Sequence, residues 1–255
     1  MGKTIAVAGK GGTGKTTITG LLIDYLVKNG QGPVLAVDAD ANANLNEVLG
    51  EAIEVTLGEI REEVNLRETI RDGFPGGMTK AQYLQYQLNT SITEGNGYDL
   101  LVMGRSEGKG CYCFVNGILR EQLDKVSDKY RYVVIDNEAG MEHLSRGTAR
   151  YIDILILVSD CSRRGVQAVG RINKLVKELG LKVAKQYLII NKAPDGKLNK
   201  EITKEISLQG LELLGIIALD PLVYAYDSQG KALVNLPDDS ISKRAIKDIC
   251  QIIGL

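Results

Sequence analysis

Histidine is almost missing from this 255-residue chain, and tryptophan is missing altogether; the one imidazole is His143. That sets aside a Ser-His-Asp triad and a histidine-rich metal centre. Cysteine is sparse, at four residues (Cys111, Cys113, Cys161 and Cys250). So few in a chain of this size do not make a disulfide framework, and free thiols fit a cytoplasmic location. No run of about 18 apolar residues occurs, so no transmembrane span is expected. An excess of one charge is also lacking: 31 Lys and Arg stand against 32 Asp and Glu, a net charge of −1. Such a balance advertises no basic surface for nucleic acid and leaves only a local patch open. The first residues run straight into an apolar segment and a glycine-rich loop, which leaves no room for a secretory signal. No internal repeat or low-complexity stretch is visible.

What is present is alternation. Short runs rich in Val, Ile and Leu, without strict polar alternation, fall at 5–8, 34–37, 100–103, 132–135, 154–158, 187–190 and 215–219. Runs of this kind are expected of strands covered on both faces. Between them apolar residues recur at helical spacing, as in Leu22-Ile23-Leu26-Val27 and Val169-Ile172-Leu175-Val176-Leu179. The pattern predicts a doubly wound α/β fold, a mostly parallel sheet with helices on both faces, as one domain over residues 1–255. Residues 51–98 carry few buried-strand signals and a turn cluster around Pro75. They are expected to form a helical excursion over the sheet, with Arg61, Glu62 and Glu63 on a solvated face.

Gly9-Lys10-Gly11-Gly12-Thr13-Gly14-Lys15-Thr16 fits the phosphate-loop pattern G-x-x-x-x-G-K-[ST], between an apolar strand and the helix that begins near Thr17. The glycines let backbone N–H groups turn toward an anion, and the helix N-terminus adds positive potential. Lys15 is then expected on the β- and γ-phosphates and Thr16 on Mg²⁺. An ordinary loop of this kind needs one lysine; Lys10 is a second, either solvated or functional. Asp38 and Asp40 lie beyond a strand end, where a doubly wound sheet places its ligands, though a turn with a helix cap uses the same residues. Asp136 ends an apolar strand in the Walker B manner, and Asn137-Glu138-Ala139-Gly140 follows. Cys111-Tyr112-Cys113 is the remaining constellation. Side chains at i and i+2 of an extended segment point the same way, their Cα atoms roughly 6–7 Å apart, so both thiolates can meet one metal ion. Two ligands do not close a tetrahedral site, whereas two copies supply four. Two incidental cysteines are the other reading.

Lys-Gly-Gly-Thr-Gly-Lys-Thr-Thr at 10–17 resembles the deviant Walker A box of the MinD/ParA/nitrogenase-iron-protein class of P-loop ATPases. Together with Cys111-Tyr112-Cys113 and Asp-Asn-Glu-Ala-Gly-Met-Glu-His-Leu-Ser-Arg-Gly-Thr-Ala at 136–149, the chain resembles the CooC-type ATPases, which serve nickel insertion into carbon monoxide dehydrogenase. The resemblance implies an ATP-hydrolysing homodimer in which Lys10 reaches the partner's nucleotide. It implies that residues 9 and 11–17 bind ATP or ADP, that Asp38 and Asp136 organise Mg²⁺ with Thr16, and that Asp40 orients the attacking water. Asn137, Glu138 and Gly140 become switch II, with the Gly140 N–H facing the γ-phosphate. Asn191 and the stem of Lys192 read the purine, and Asp220-Pro221 close the base pocket. ATP is favoured over GTP because Asn191-Lys192-Ala193-Pro194 has no Asp two residues after Lys192. Cys111 and Cys113 of two subunits hold Ni²⁺ or Zn²⁺, with carbon monoxide dehydrogenase, acetyl-CoA synthase or another nickel enzyme as client. Cys161 and Cys250 read as structural. Two rivals stay open. One is a ParA-like DNA-binding ATPase, although Arg163-Arg164 and Lys243-Arg244 read more simply as solvated pairs. The other is a MinD-like membrane switch using the helix over 241–253. No stable membrane insertion is expected.

Overall fold

Ile5, Ala6, Val7 and Ala8 have no polar side chain to offer water, and all four are fully buried in the middle of β1 (Lys3–Gly9). The same logic builds β2 (Val34–Ala39) and β5 (Tyr132–Asn137), buried along their whole length. In the computed structural model, residues 2–70, 73–105, 126–138 and 151–255 are described. The other strands are β3 (Thr93–Glu94), β4 (Tyr98–Val102), β6 (Tyr151–Asp160), β7 (Lys182–Ala193) and β8 (Leu213–Ala218). They form one eight-stranded sheet in the order β3-β4-β2-β5-β1-β6-β7-β8, parallel throughout except for β3 against β4. All seven predicted strands are present. The two-residue edge strand β3 is additional, while Met103 and Leu219 fall just outside the strands assigned to them.

Two layers cover the sheet. One core joins Ile5 and Val7 to α1 (Lys15–Lys28), α2 (Leu45–Leu49) and the C-terminal helix; the other joins Ala6 and Ala8 to four more helices. Those four are α3 (Leu57–Thr69), α4 (Lys80–Thr90), α5 (Arg163–Glu178) and α6 (Lys200–Leu208). Adjacent strand residues thus feed opposite cores, which is why the strands read as unbroken apolar runs.

Within 51–98, α3 and α4 lie over the sheet. Thr56 with Glu59 and Thr79 with Gln82 close capping boxes that start α3 and α4. The solvated face assigned to Arg61, Glu62 and Glu63 needs correction. Arg61 is only 8% exposed, and Glu63 accepts a hydrogen bond from the Tyr83 hydroxyl at 2.7 Å and pairs with Arg67 at 2.9 Å. For Glu63 the reason is packing: α4 lies against α3, and Tyr83 and Gln87 both donate to its carboxylate.

Helices α7 (Pro221–Asp227) and α8 (Ile241–Ile253) complete the described α-helices. Helix α8 docks through Ile246, Ile249 and Cys250, all buried, against the core that contains α1. Lys243, expected in a solvated pair with Arg244, is 8% exposed. Its ammonium reaches Asp24 of α1 at 3.0 Å and donates to the Val234 carbonyl at 2.6 Å. Docking carries the lysine stem into the interface, and Asp24 meets the charge there. No described helix is long and apolar enough to cross a membrane. Lys243→Ala is expected to cost about 1–2 kcal/mol, because it leaves Asp24 partly buried with less compensation. Lys28→Ala, removing the half-exposed arm of the same cluster, should cost less than about 1 kcal/mol. Thermal unfolding of both variants, at roughly 2–4 °C per kcal/mol for a chain of this size, checks the ranking.

Candidate functional site

The chain leaves β1 at the sheet's switch point, between β5 and β6, and turns directly into the phosphate loop. A Cβ on Gly9 would lie 2.2 Å from the Val158 carbonyl oxygen of β6, so the loop's first turn tolerates only glycine. Gly12 and Gly14 have φ of 78° and 89°, the left-handed region that favours glycine. Gly14 then N-caps α1, whose first turn contains no acidic side chain, so its free N–H groups face an anion unopposed.

The loop is braced from within and from β7. Thr13 is 1% exposed and its hydroxyl donates to the Lys10 carbonyl at 2.8 Å, so this side chain shapes the loop. Lys15 is buried with its ammonium 3.4 Å from the same carbonyl, whereas Lys10 itself is exposed. Asn191 donates from Nδ2 to the Thr13 carbonyl at 2.9 Å and accepts the Lys192 N–H at Oδ1, also at 2.9 Å. The amide expected to read a base therefore first holds the phosphate loop in place. Lys192, at φ 56°, turns its ammonium back onto the Gly12 carbonyl at 2.9 Å.

Parallel register brings the two carboxylates together, with Asp38 of β2 directly opposite Asp136 of β5. Asp38 is fully buried, and its oxygens accept the backbone N–H groups of Asp40 at 3.0 Å and Leu45 at 2.9 Å. Burial raises its pKa, and those amides oppose the rise. Asp136 is pushed up to about 7, chiefly by burial; the Thr16 hydroxyl opposes this and the neighbouring Asp38 charge adds to it. Thr19, one turn into α1, also donates to Asp136, at 3.3 Å. Thr19 was not singled out from the sequence, although its i+3 spacing from Thr16 on the same helix face was a readable signal. A hydroxyl and two carboxylates too buried to ionise comfortably form a hard-oxygen set suited to Mg²⁺. Asp40 is half-buried and lines the groove, its Oδ1 accepting from Asn42. Asn137 is 1% exposed and donates to the Val7 carbonyl at 2.9 Å, which ties the start of the switch segment to β1. Glu138 lines the groove; Gly140, Cys111 and Cys113 lie outside the described residues.

The groove over the loop encloses about 950 Å³, lined by Gly11, Gly12 and 14–17, Asp40 and Asn42. A second cavity of about 270 Å³ meets it at Thr17, Lys192, Asp227 and Leu233. Asn191, Leu219, Asp220 and Tyr224 line this smaller cavity, and Pro221 opens α7 beside it. Asp220 lines this cavity, and its two oxygens accept the Leu222 N–H at 3.0 Å and the Ser242 N–H at 2.9 Å. These two bonds fix the carboxylate and shape the cavity wall, leaving one lone pair on each oxygen. Among the described residues no cluster of three or more His, Cys, Asp and Glu side chains is placed to hold a metal ion.

A carboxyl whose pKa is raised on folding costs no stability while protonated in both states, and a growing amount as pH rises from about 4 to about 7. Asp136→Asn should therefore stabilise the nucleotide-free chain at pH 8, by about 2–4 °C for each kcal/mol relieved, with little gain at pH 4. Thermal melts at the two pH values, without nucleotide or Mg²⁺, measure the difference.

Comparison with known proteins agrees with this architecture. The model of the CobQ/CobB/MinD/ParA nucleotide binding domain matches residues 4–234. An uncharacterized ATP-binding protein of Methanocaldococcus jannaschii is 43% identical over 98% of this chain and 97% of its own length. The carbon monoxide dehydrogenase accessory protein CooC of Rhodospirillum rubrum is 31% identical over 91% of this chain and 89% of its own. Among solved structures, the septum site-determining protein MinD of Pyrococcus horikoshii, complexed with Mg-ADP, superposes with a TM-score of 0.70 at 23% identity, over 99% of this chain and 96% of that one. A ParA family ATPase from Chlorobium tepidum gives 0.69 at 20% identity, over 97% and 96%; both show a shared fold. With its phosphate loop, its paired carboxylates and a family match over most of its length, the chain belongs to the CobQ/CobB/MinD/ParA family of nucleotide-binding ATPases.

Proposed function

We propose that this ATPase works as a homodimeric maturation factor, handling nickel for carbon monoxide dehydrogenase or a related enzyme such as acetyl-CoA synthase, in the cytoplasm. One observation carries the reading: the likeness to the Rhodospirillum rubrum accessory protein spans 91% of the chain, and this chain holds the Cys111-Tyr112-Cys113 pair. The loop amides of residues 11–17 and Lys15 bind the phosphates of ATP. Lys10, exposed at the loop's start, is free to engage the nucleotide of a second copy. Thr16, Asp136 and the environment of Asp38 would hold Mg²⁺, which would supply neutralisation of phosphate charge. Asp40 orients the attacking water, so hydrolysis is chiefly positioning. The small cavity takes the purine, with Asn191 and Lys192 on one wall and Asp220-Pro221 on the other. Loss of the γ-phosphate releases Glu138 and Gly140, a known kind of switching element, beyond Asn137, which stays tied to β1. Two thiolates per subunit make half of a tetrahedral site, so the dimer that joins two nucleotides also completes a place for Ni²⁺ or Zn²⁺ as cargo.

A ParA- or MinD-like ATPase positioning DNA or a membrane-bound partner is the alternative. Three features weigh against it: Lys243 is engaged by Asp24, Ile246 and Ile249 of α8 are buried, and Arg163 is paired with Glu205 at 2.9 Å. The test combines gel filtration with equilibrium dialysis of ⁶³Ni²⁺ in ATP and in ADP. ATP should drive dimerisation with about one nickel per dimer. Cys111→Ser/Cys113→Ser should abolish nickel uptake but not dimerisation, whereas Lys10→Ala should lose both and keep nucleotide binding. Nickel stoichiometry unchanged without the two thiols would overturn the nickel reading.

A further inference from the structure

We propose that Arg105 is a positioning residue for ATP hydrolysis, fixing the carboxylate of Asp40 through Asn42. The inference rests on the assignment of Asp40 to the attacking water, and it assigns a role to a residue in none of the motifs. Asp40 Oδ1 accepts two hydrogen bonds from Asn42, from the backbone N–H at 2.9 Å and from Nδ2 at 3.1 Å. The side-chain Oδ1 of Asn42 in turn accepts from Arg105 Nη2 at 2.8 Å. One oxygen of Asp40 is thereby saturated, and none of the described hydrogen bonds engages Oδ2. That asymmetry suits a carboxylate that must present one oxygen to water in a fixed direction.

Holding the amide at both ends matters because an asparagine side chain rotates and flips easily when held at one. Without a donor on its oxygen, Asn42 can present that oxygen to Asp40, turning an attraction into a repulsion. The turn also carries strain. Ala43 has φ 52°, unusual for a residue with a Cβ, and its N–H reaches only the Asp40 carbonyl, at 3.2 Å. A strained turn keeps its shape only where surrounding contacts impose it.

Arg105 leaves from a rigid base. Met103 donates its N–H to the Asp38 carbonyl at 2.8 Å and accepts the Gly58 N–H at 2.8 Å. Gly104, at φ 63°, packs so closely on Thr56 that a Cβ would lie 2.6 Å from that side chain. A Cβ on Gly58 would lie 2.0 Å from the Arg105 carbonyl oxygen. The end of β4 is therefore wedged between the end of β2 and the start of α3. The Arg105 backbone is thus held relative to that of Asp38, and from it the exposed side chain reaches across to Asn42. A side chain launched from fixed backbone transmits position better than one on a free loop.

The experiment measures steady-state hydrolysis and ADP affinity in the full chain for four proteins: Arg105→Ala, Arg105→Lys, Asp40→Asn and the Arg105→Ala/Asp40→Asn double variant. Arg105→Ala should lower kcat about five- to tenfold, the worth of one net hydrogen bond, with ADP affinity and Tm near wild type. Arg105→Lys, which keeps a long donor, should recover much of that loss. In the Asp40→Asn background Arg105→Ala should change nothing further, because both act on one group. Wild-type kcat in Arg105→Ala, or a loss that multiplies on top of Asp40→Asn, overturns the proposal. So does a fall in ADP affinity and Tm that accounts for the lost rate. Full activity in Asp40→Asn would instead overturn the role of Asp40 itself, an outcome distinct from the first three.

Discussion

Two carboxylates facing each other across neighbouring strands, with almost no water beside them, is an arrangement a fold does not adopt without compensation. Asp38 and Asp136 are such a pair, and their register follows from β2 and β5 running parallel with level ends. Asp38 is answered by two backbone amides and Asp136 by the hydroxyls of α1 and the nearby Lys15 charge. These answers differ in kind. The amides are permanent parts of the fold, whereas the hydroxyls and Lys15 belong to the helix and loop that also meet the nucleotide. The site is therefore left with an electrostatic deficit that a divalent cation can fill.

The phosphate loop shows the complementary design. Its anion-binding character lies in the backbone, so the side chains around it mostly hold that backbone. Thr13, Asn191 and Lys192 each bond a loop carbonyl, on Lys10, Thr13 and Gly12. Satisfying the carbonyls on one side leaves the N–H groups of the loop and of the first turn of α1 aimed at the groove. The strand that brings Asn191 and Lys192 here, β7, also walls the smaller cavity, so the phosphate and base ends of the site share one support.

The strands were legible because a strand buried on both faces leaves a short apolar run, and the eight-residue loop motif was legible because its glycines have backbone duties no other residue can perform. Other features were hidden for equally physical reasons. Arg61 and Lys243 read as solvated from composition, yet both are buried; for Lys243, helix packing covers the long stem while Asp24 meets the head. The edge strand β3 has two residues and no periodicity to detect. Asn191 drew attention by its strand-end position, but its bond to a carbonyl 178 residues earlier is a tertiary fact. Arg105 had no motif to mark it; its importance arises only once the ends of β2 and β4 are side by side.

Asp220 shows how tightly a single position can be constrained without any contact to a reacting group. Its two oxygens cap two helices at once, α7 through Leu222 and α8 through Ser242. Asparagine has one acceptor oxygen and would give up either the α7 cap or the bond to Ser242, which supplements the Ser240 cap of α8, while a longer side chain would misplace both. The choice of residue at 220 is thus settled by a joint between two helices, and the wall of the small cavity inherits its shape from that joint. A chain evolving toward a different ligand in this cavity would have to alter the neighbouring Leu219, Val223 or Tyr224 and leave the aspartate alone.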